Sequence, residues 1–202
     1  PAWRNQSLPI ERRTCKHLRQ YRGPAAEADR VGATPAPAAA TAATKAPAPA
    51  LLLAETWDGE QDIRDWWLSE KLDGVRAVWT GERFLSRQGN VYRAPAWFTA
   101  DLPQFPLDGE LWLDRQAFQR TVSIVRRHDE PDEWRSIRYV VFDAPAAAEP
   151  FEQRVQRCRA HFAQYPAFYA EVLPQEPCRG AEHLRAELDK VVQLGGEGLM
   201  LR

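Results

Sequence analysis

Four short segments carry residues whose types and spacing could do phosphate chemistry. They read EKLDGVR at residues 70–76, LSRQGN at 85–90, PLDGELW at 106–112 and GGEGLMLR at 195–202. Each supplies a cation, a carboxylate or a glycine, the groups with which proteins hold a phosphate and its metal ion. Any one of the segments is a weak signal, so the prediction depends on their occurring together.

Lys71 is the candidate nucleophile of the first segment. It lies between Trp67 and Val75, in apolar surroundings, and a partly buried lysine can lose its proton near neutral pH and attack an electrophile. The chain has only four lysines among its 27 basic residues, so few others compete for this role. Gly74 would let a ligand approach the backbone closely. The alternative interpretation is a solvated surface pair between Lys71 and a neighbouring acid.

The other three segments offer groups that could hold a phosphate and a metal ion. Arg87 lies at a Gly-Asn turn, from which its guanidinium could grip a phosphate. Asp108 and Glu110 could hold Mg²⁺ if they point inward, and Glu197 stands between glycines where a metal ion or phosphate can approach. The alternatives are an ordinary turn, solvated acids, and a helix cap followed by a strand.

The elements that must position these residues alternate between strands and helices, which predicts an α+β fold. A hairpin is expected over residues 77–86 with its turn at Gly81, and a helix should follow Pro150. A second helix should end at Gly195. The remaining predicted strands cover residues 139–142, 168–173 and 198–201, and the two helical stripes are Phe151, Val155, Cys158 and Phe162, then Leu184, Leu188, Val191 and Val192.

Composition divides the chain before residue 51. Residues 33–50 contain only Ala, Pro, Thr and one Lys, which indicates an extended linker between a polar, basic segment at 1–32 and a domain at 51–202. The net charge of −1 excludes a wholly basic nucleic-acid binder but not a basic groove. No apolar run is long enough to span a bilayer, so no membrane partner is expected. Three cysteines give no disulfide framework and suit the cytoplasm, with the periplasm left open.

The order of the four segments, with the aromatic strand at 139–143 between the third and the fourth, resembles the covalent nucleotidyltransferases: DNA ligases, RNA ligases and capping enzymes. The segments SEKLDGVRA, PAWFTADLP, PLDGELW and GGEGLMLR are similar to segments of the small bacterial ATP-dependent DNA ligases of the E type. The resemblance covers about residues 52–202. It implies a nucleotidyltransferase (adenylation) domain of the ATP-grasp-like class, with antiparallel sheets flanked by helices around a nucleotide cleft.

The resemblance implies an ATP-dependent DNA ligase that seals 5′-phosphate, 3′-hydroxyl nicks in double-stranded DNA, in repair, replication or recombination. Lys71 would attack the α-phosphate of ATP and carry AMP, and Asp73 would help during sealing. An RNA ligase or a capping-type enzyme is the alternative within the class, and a noncatalytic nucleic-acid-binding protein is the rival from another class. We expect the protein to be a monomer that binds nicked DNA and ATP.

Five further residues receive roles from the resemblance. Arg76 and Arg87 would contact ribose and phosphate oxygens, and Phe142 would stack on the adenine. Glu110 would lie near the ribose and the Mg²⁺ ion, and Glu197 would bind that ion. For Phe142, packing in the core is the open alternative, because it lies in an apolar strand.

The two ends of the chain give two further expectations. Cys15 and His17 resemble the second half of a SWIM zinc finger, so Zn²⁺ is expected only in a longer parent chain that supplies two more ligands. A lone surface Cys and His is the alternative. The family's lysine-bearing motif and oligonucleotide-binding domain should follow residue 202, so we expect the 202-residue form to accept AMP weakly or not at all.

Overall fold

The structure is a computed structural model that describes residues 47–49, 51, 54–127, 129, 132–145 and 147–202. These residues all belong to the unit Lys45–Arg202, which backbone contacts separate from the unit Pro1–Thr44. Cys15, His17 and most of the linker predicted at 33–50 lie outside the described residues. The predicted zinc half-site and the predicted domain boundary therefore stay predictions.

The described residues form an α+β fold, as the sequence predicts. The strands are β1 (Trp67–Lys71), β2 (Val75–Trp79), β3 (Phe84–Leu85), β4 (Val91–Tyr92), β5 (Leu107–Trp112), β6 (Arg138–Asp143), β7 (Ala170–Val172), β8 (Glu176–Pro177) and β9 (Gly198–Leu201). The helices are α1 (Ala96–Thr99), α2 (Phe118–Val125), α3 (Phe151–Gln164) and α4 (Ala181–Gln193), with a 3₁₀ helix at Asp132–Ser136. Among these described helices, none has both the length and the apolar composition that crossing a bilayer requires.

The larger sheet has six strands in the order β4-β3-β2-β5-β6-β7. The predicted hairpin is confirmed, because β2 and β3 pair with Val78 opposite Leu85. Along β2 the pairing with β5 sets Arg76 opposite Glu110. This register places the arginine of the first chemical segment beside the carboxylate of the third.

The sheet is antiparallel except at its β7 edge. Strand β7 runs parallel to β6, with Tyr139 opposite Ala170, because the chain crosses back through helix α3 rather than through a tight turn. Helix α3 follows Pro150, and Val155 and Cys158 of its predicted apolar stripe are buried. The strand predicted at 168–173 is shorter than expected and covers only Ala170–Val172.

The smaller sheet has the order β8-β1-β9, and both of its pairs are antiparallel. Along β1, Lys71 lies opposite Gly198 at the start of β9. The helix predicted before β9 is α4, and its last turn is followed by Gly195 with a φ of +81°, a conformation that suits glycine. The turn that follows α4 therefore delivers Glu197 to the end of β1 that carries Lys71.

A core of aromatic side chains underlies the larger sheet. Trp134, Tyr139 and Phe84 are fully buried, and the ring centroids of Phe84 and Tyr139 lie 4.7 Å apart in an edge-to-face arrangement. The Tyr139 hydroxyl lies 3.1 Å from the Ala77 carbonyl oxygen and 3.0 Å from that of Leu107, to either of which it can donate. The buried hydroxyl therefore has a hydrogen-bond acceptor on β2 and another on β5.

Candidate functional site

A cleft of about 460 Å³ collects the chemical segments that the sequence singles out. Its volume falls within the range of small-molecule sites in proteins. Both sheets contribute to it, since Lys71 comes from β1 and Glu110 from β5. Its lining residues are Ala54, Glu70, Lys71, Leu72, Arg76, Arg87, Glu110, Phe142, Leu173, Met200 and Arg202.

A buried ion pair fixes Arg76 at the floor of this cleft. Its Nη2 lies 2.6 Å from Asp108 Oδ2 and its Nε lies 3.2 Å from Oδ1, a two-point contact. The Asp108 side chain is only 4% exposed, and burial raises the pKa of its carboxyl. Of the two acids in the third segment, Asp108 therefore orients an arginine, and Glu110 is the one that lines the cleft.

The pKa of Glu110 is raised to about 8, mainly because burial disfavours its charged form. The positive charges of Arg76 and Lys71 act in the opposite direction, and the negative charges of Asp108 and Glu197 add to the rise. Near neutral pH this carboxyl therefore holds its proton in the unliganded protein. A cation bound by Glu110 would have to displace that proton.

Lys71 and Glu197, the predicted nucleophile and the predicted metal ligand, form an ion pair between the Lys71 Nζ and the Glu197 Oε1. The two side chains are 44% and 46% exposed, so the amine is accessible to a ligand from the cleft. The apolar residues around Lys71 in the sequence suggest a more buried side chain than the structure has. Lys71 is more exposed because it points from β1 toward the cleft.

Phe142 combines the two roles that the sequence leaves open. It packs in a small cluster with Val140 and Leu173, and its ring is also part of the cleft lining. The Cζ of Arg202 lies 4.8 Å from the ring centroid and that of Arg76 lies 5.5 Å away. The ring is thus flanked by two guanidinium groups, which favours an anionic ligand with a flat apolar part.

The structure places Asp73 and Gly74 in the turn between β1 and β2. Asp73 is partly exposed and is not among the residues that line the cleft. A Cβ at Gly74 would lie 2.6 Å from the Leu111 carbonyl oxygen and 2.7 Å from Glu110 Cγ. The close approach of β5 is therefore by itself a reason for glycine at position 74. That Gly74 also lets a ligand approach the backbone stays a prediction.

Arg87 extends from the loop that follows β3. The Ser86 hydroxyl accepts hydrogen bonds from the backbone N–H groups of Gln88, at 3.2 Å, and Asn90, at 3.0 Å, which fixes this turn. Arg87 is exposed and lines the cleft. With Arg76, Arg202 and Lys71 it makes four cationic side chains around one cleft, a field that attracts a polyphosphate.

Arg202, Met200 and Leu173 belong to the cleft but are not predicted as site residues. Arg202 is partly buried, its Nη1 donates to Ser69 Oγ at 3.2 Å, and burial lowers its pKa. The available signal was the strand period of two, because residues 200 and 202 fall on the same face of β9 and its extension. Leu173 follows β7, and the sequence contains no signal that brings this residue to β1.

Comparison with known proteins gives similarity to DNA ligases. The chain is 38% identical over 152 residues to a DNA ligase of Haemophilus influenzae, which covers 75% of this chain and 56% of that protein. A solved Lig E DNA ligase is also 38% identical, with a TM-score of 0.72 over 76% of this chain and 61% of that one. The chain therefore spans little more than half the length of these relatives. No protein-family model matches it.

A more distant structure agrees with this fold. The Chlorella virus DNA ligase-adenylate has a TM-score of 0.61 at 22% identity, over 75% of this chain and 58% of that one. The described residues thus have the fold of the nucleotidyltransferase domains of ATP-dependent DNA ligases, which confirms the predicted fold class.

Proposed function

We propose that this chain is the adenylation portion of an ATP-dependent DNA ligase, which seals nicks in double-stranded DNA through a covalent lysyl-AMP intermediate. The observation that carries the proposal is the convergence of Lys71, Arg76, Glu110 and Phe142 on one cleft. The named DNA ligases at 38% identity support the choice of reaction within the fold.

The first step of the proposed reaction is transfer of AMP to Lys71. The unprotonated Nζ attacks the α-phosphorus of ATP and a phosphorus–nitrogen bond forms. The bond to the bridging oxygen breaks so that pyrophosphate leaves, and the nitrogen releases one proton to solvent. Such a transfer depends mainly on positioning and on neutralising charge. Arg76 is oriented for that task by Asp108, and Arg87 and Arg202 add positive charge around the same cleft.

The donor set is suitable for a magnesium ion. Glu110 and Glu197 offer carboxylate oxygens, the ligands that Mg²⁺ prefers, and a bound Mg²⁺ would displace the proton from the Glu110 carboxyl. Glu197 also forms an ion pair with the Lys71 amine, so the same carboxylate would contact both the metal ion and the nucleophile. When bound, Mg²⁺ would neutralise charge that develops on the phosphate oxygens.

Recognition of the nucleotide follows from the flat and the polar parts of the cleft. Phe142 would offer an aromatic face for adenine, and Glu110 would contact the ribose and the metal ion. Asp73, at the turn beside Lys71, would act in the later sealing step at the nick. The cellular context that we propose is repair, replication or recombination in the cytoplasm, and we propose that the protein acts as a monomer.

The test is labelling by ATP with a radioactive α-phosphate and Mg²⁺, on the whole reading frame that contains this sequence. One AMP should be attached to Lys71, in a bond that is acid-labile, alkali-stable and reversed by pyrophosphate. Lys71→Ala should abolish labelling, and Lys71→Arg should too, because a guanidinium stays protonated. Lys190→Ala is the matched control, since Lys190 also pairs with a glutamate but lies on α4.

Mass spectrometry of the labelled peptides decides the outcome. AMP on Lys190, or full labelling of Lys71→Ala, would contradict the assignment. Labelling by GTP instead of ATP would favour a capping-type enzyme, and sealing of RNA but not DNA would favour an RNA ligase. Binding of nicked DNA with no AMP transfer would indicate the noncatalytic alternative.

A further inference from the structure

A second ion pair lies immediately beside the proposed nucleophile. Arg115 Nε lies 2.8 Å from Glu70 Oε1, and Arg115 Nη2 lies 2.8 Å from Glu70 Oε2. The side chains are only 28% and 18% exposed, so water screens this two-point contact less than it screens a surface pair. Glu70 immediately precedes Lys71 on β1, whereas Arg115 lies in the loop that follows β5.

This pair joins the two sheets at the cleft. Lys71 stands on β1 of the smaller sheet, and Glu110 and Phe142 stand on strands of the larger one. Among the residues that the structure describes, Glu70–Arg115 is the ion pair that links β1 to a segment of the larger sheet. This contact therefore ties the strand that carries Lys71 to the loop that follows β5.

The turn that carries Glu197 packs against the same pair. A Cβ at Gly196 would lie 2.9 Å from Glu70 Oε1, and a Cβ at Gly195 would lie 2.8 Å from Gln116 Nε2. Gln116 itself has a φ of +58°, uncommon for a residue with a side chain. The loop after β5 thus contacts Glu70 through Arg115, and it packs through Gln116 against Gly195 in the turn that leads to Glu197.

We infer that Arg115 is a positioning residue for adenylyl transfer: through Glu70 and the Gly195–Gly196 turn it sets where Lys71 and Glu197 stand relative to the substrate. This inference rests on the proposed function. Arg115 does not line the cleft and touches no reacting atom, so its loss should leave ATP binding intact. A displacement of the nucleophile by about 1 Å can slow a reaction by roughly 100-fold.

The experiment measures the rate of AMP transfer to Lys71 in a single turnover, as a function of ATP concentration, in the whole reading frame. Arg115→Gln should lower the rate at saturating ATP by roughly 10- to 100-fold, with the half-saturating ATP concentration changed by less than about twofold. Glu70→Gln should lower the rate at saturating ATP by a similar factor. The double variant should lose no more than either single one, because both remove the same contact.

Two further variants separate positioning from general stability. Arg127→Gln is the matched control: Arg127 makes a two-point contact with Asp129, at 2.9 Å and 2.5 Å, away from the cleft, and its loss should leave the rate unchanged. Arg115→Lys keeps the cation and loses the planar fork, so it should recover part of the rate. It also provides the measurement if Arg115→Gln does not fold.

The outcomes are distinct. An unchanged rate in Arg115→Gln would overturn the inference. A rate that falls together with ATP affinity and melting temperature would overturn it too, in favour of a structural role. If the unmodified protein accepts no AMP at all, the proposed function has failed and this inference fails with it, a result that the same experiment identifies.

Discussion

Replacement of Glu110 by glutamine should change how the stability of the protein depends on pH. The pKa of Glu110 is about 8 in the folded protein against an ordinary value of 4.5. Between these values the folded state holds a proton that the unfolded state has released, so the free energy of unfolding falls as pH rises. The contribution is fully present below about pH 4.5 and is lost as pH rises toward about 8.

The expected magnitude follows from this shift. Glu110 should lower the free energy of unfolding by about 1.4 kcal/mol per pH unit in the middle of the window. Because the slope decreases near each pKa, the total between roughly pH 5 and pH 8 is about 3.5 kcal/mol. Glu110→Gln resembles the protonated carboxyl and does not titrate, so its stability should exceed that of the unmodified protein by a margin that grows with pH.

Urea denaturation at several pH values, followed by tryptophan fluorescence, measures this margin. Asp108 also has a raised pKa, but both proteins contain it, so it cancels in the difference. Parallel curves for the two proteins across the window would refute the reasoning, because they would mean that Glu110 is already charged in the folded state.

Two other predictions concern the floor of the cleft and the linker. Arg76→Met leaves Asp108 buried without its cation and should lower the free energy of unfolding, measured by urea denaturation, by about 3 kcal/mol at neutral pH. Arg127→Met should lower it by less than about 1 kcal/mol, because the Arg127 ion pair is exposed. Equal losses in the two variants would contradict this reasoning. Limited proteolysis should cut first within residues 33–50 and leave a fragment that starts near residue 51, and a first cut within residues 60–140 would contradict the predicted boundary.

The sequence predicts this fold well wherever an element carries its own signal. The β2–β3 hairpin has a two-residue turn between apolar strands, and α3 has a proline before it and a stripe of apolar residues along it. Strand β7 has no such signal: it is three residues long, and its parallel pairing depends on where α3 returns the chain. Its length and direction are decided by tertiary packing, which local periodicity does not encode.

The same distinction applies to the site. The sequence singles out Lys71, Arg76 and Glu110 by their segments and Phe142 by its aromatic strand, and the structure brings all four to one cleft. The ion pairs that orient them are not visible in the sequence, since Glu70 and Arg115 lie 45 positions apart. Gly74 illustrates an ambiguity of the sequence, because close packing between strands and close approach of a ligand demand the same residue.

The pairing of β5 with β6 sets two carboxylates, Asp108 and Asp143, directly opposite each other. Each is met by its own arginine, Arg76 from β2 and Arg154 from α3, whose Nε lies 2.7 Å from Asp143 Oδ1. For anyone redesigning this protein, the four residues form one exchangeable unit. Removing any single member leaves an excess charge between two strands, whereas an apolar set of four could preserve the sheet while sacrificing the guanidinium that faces the cleft.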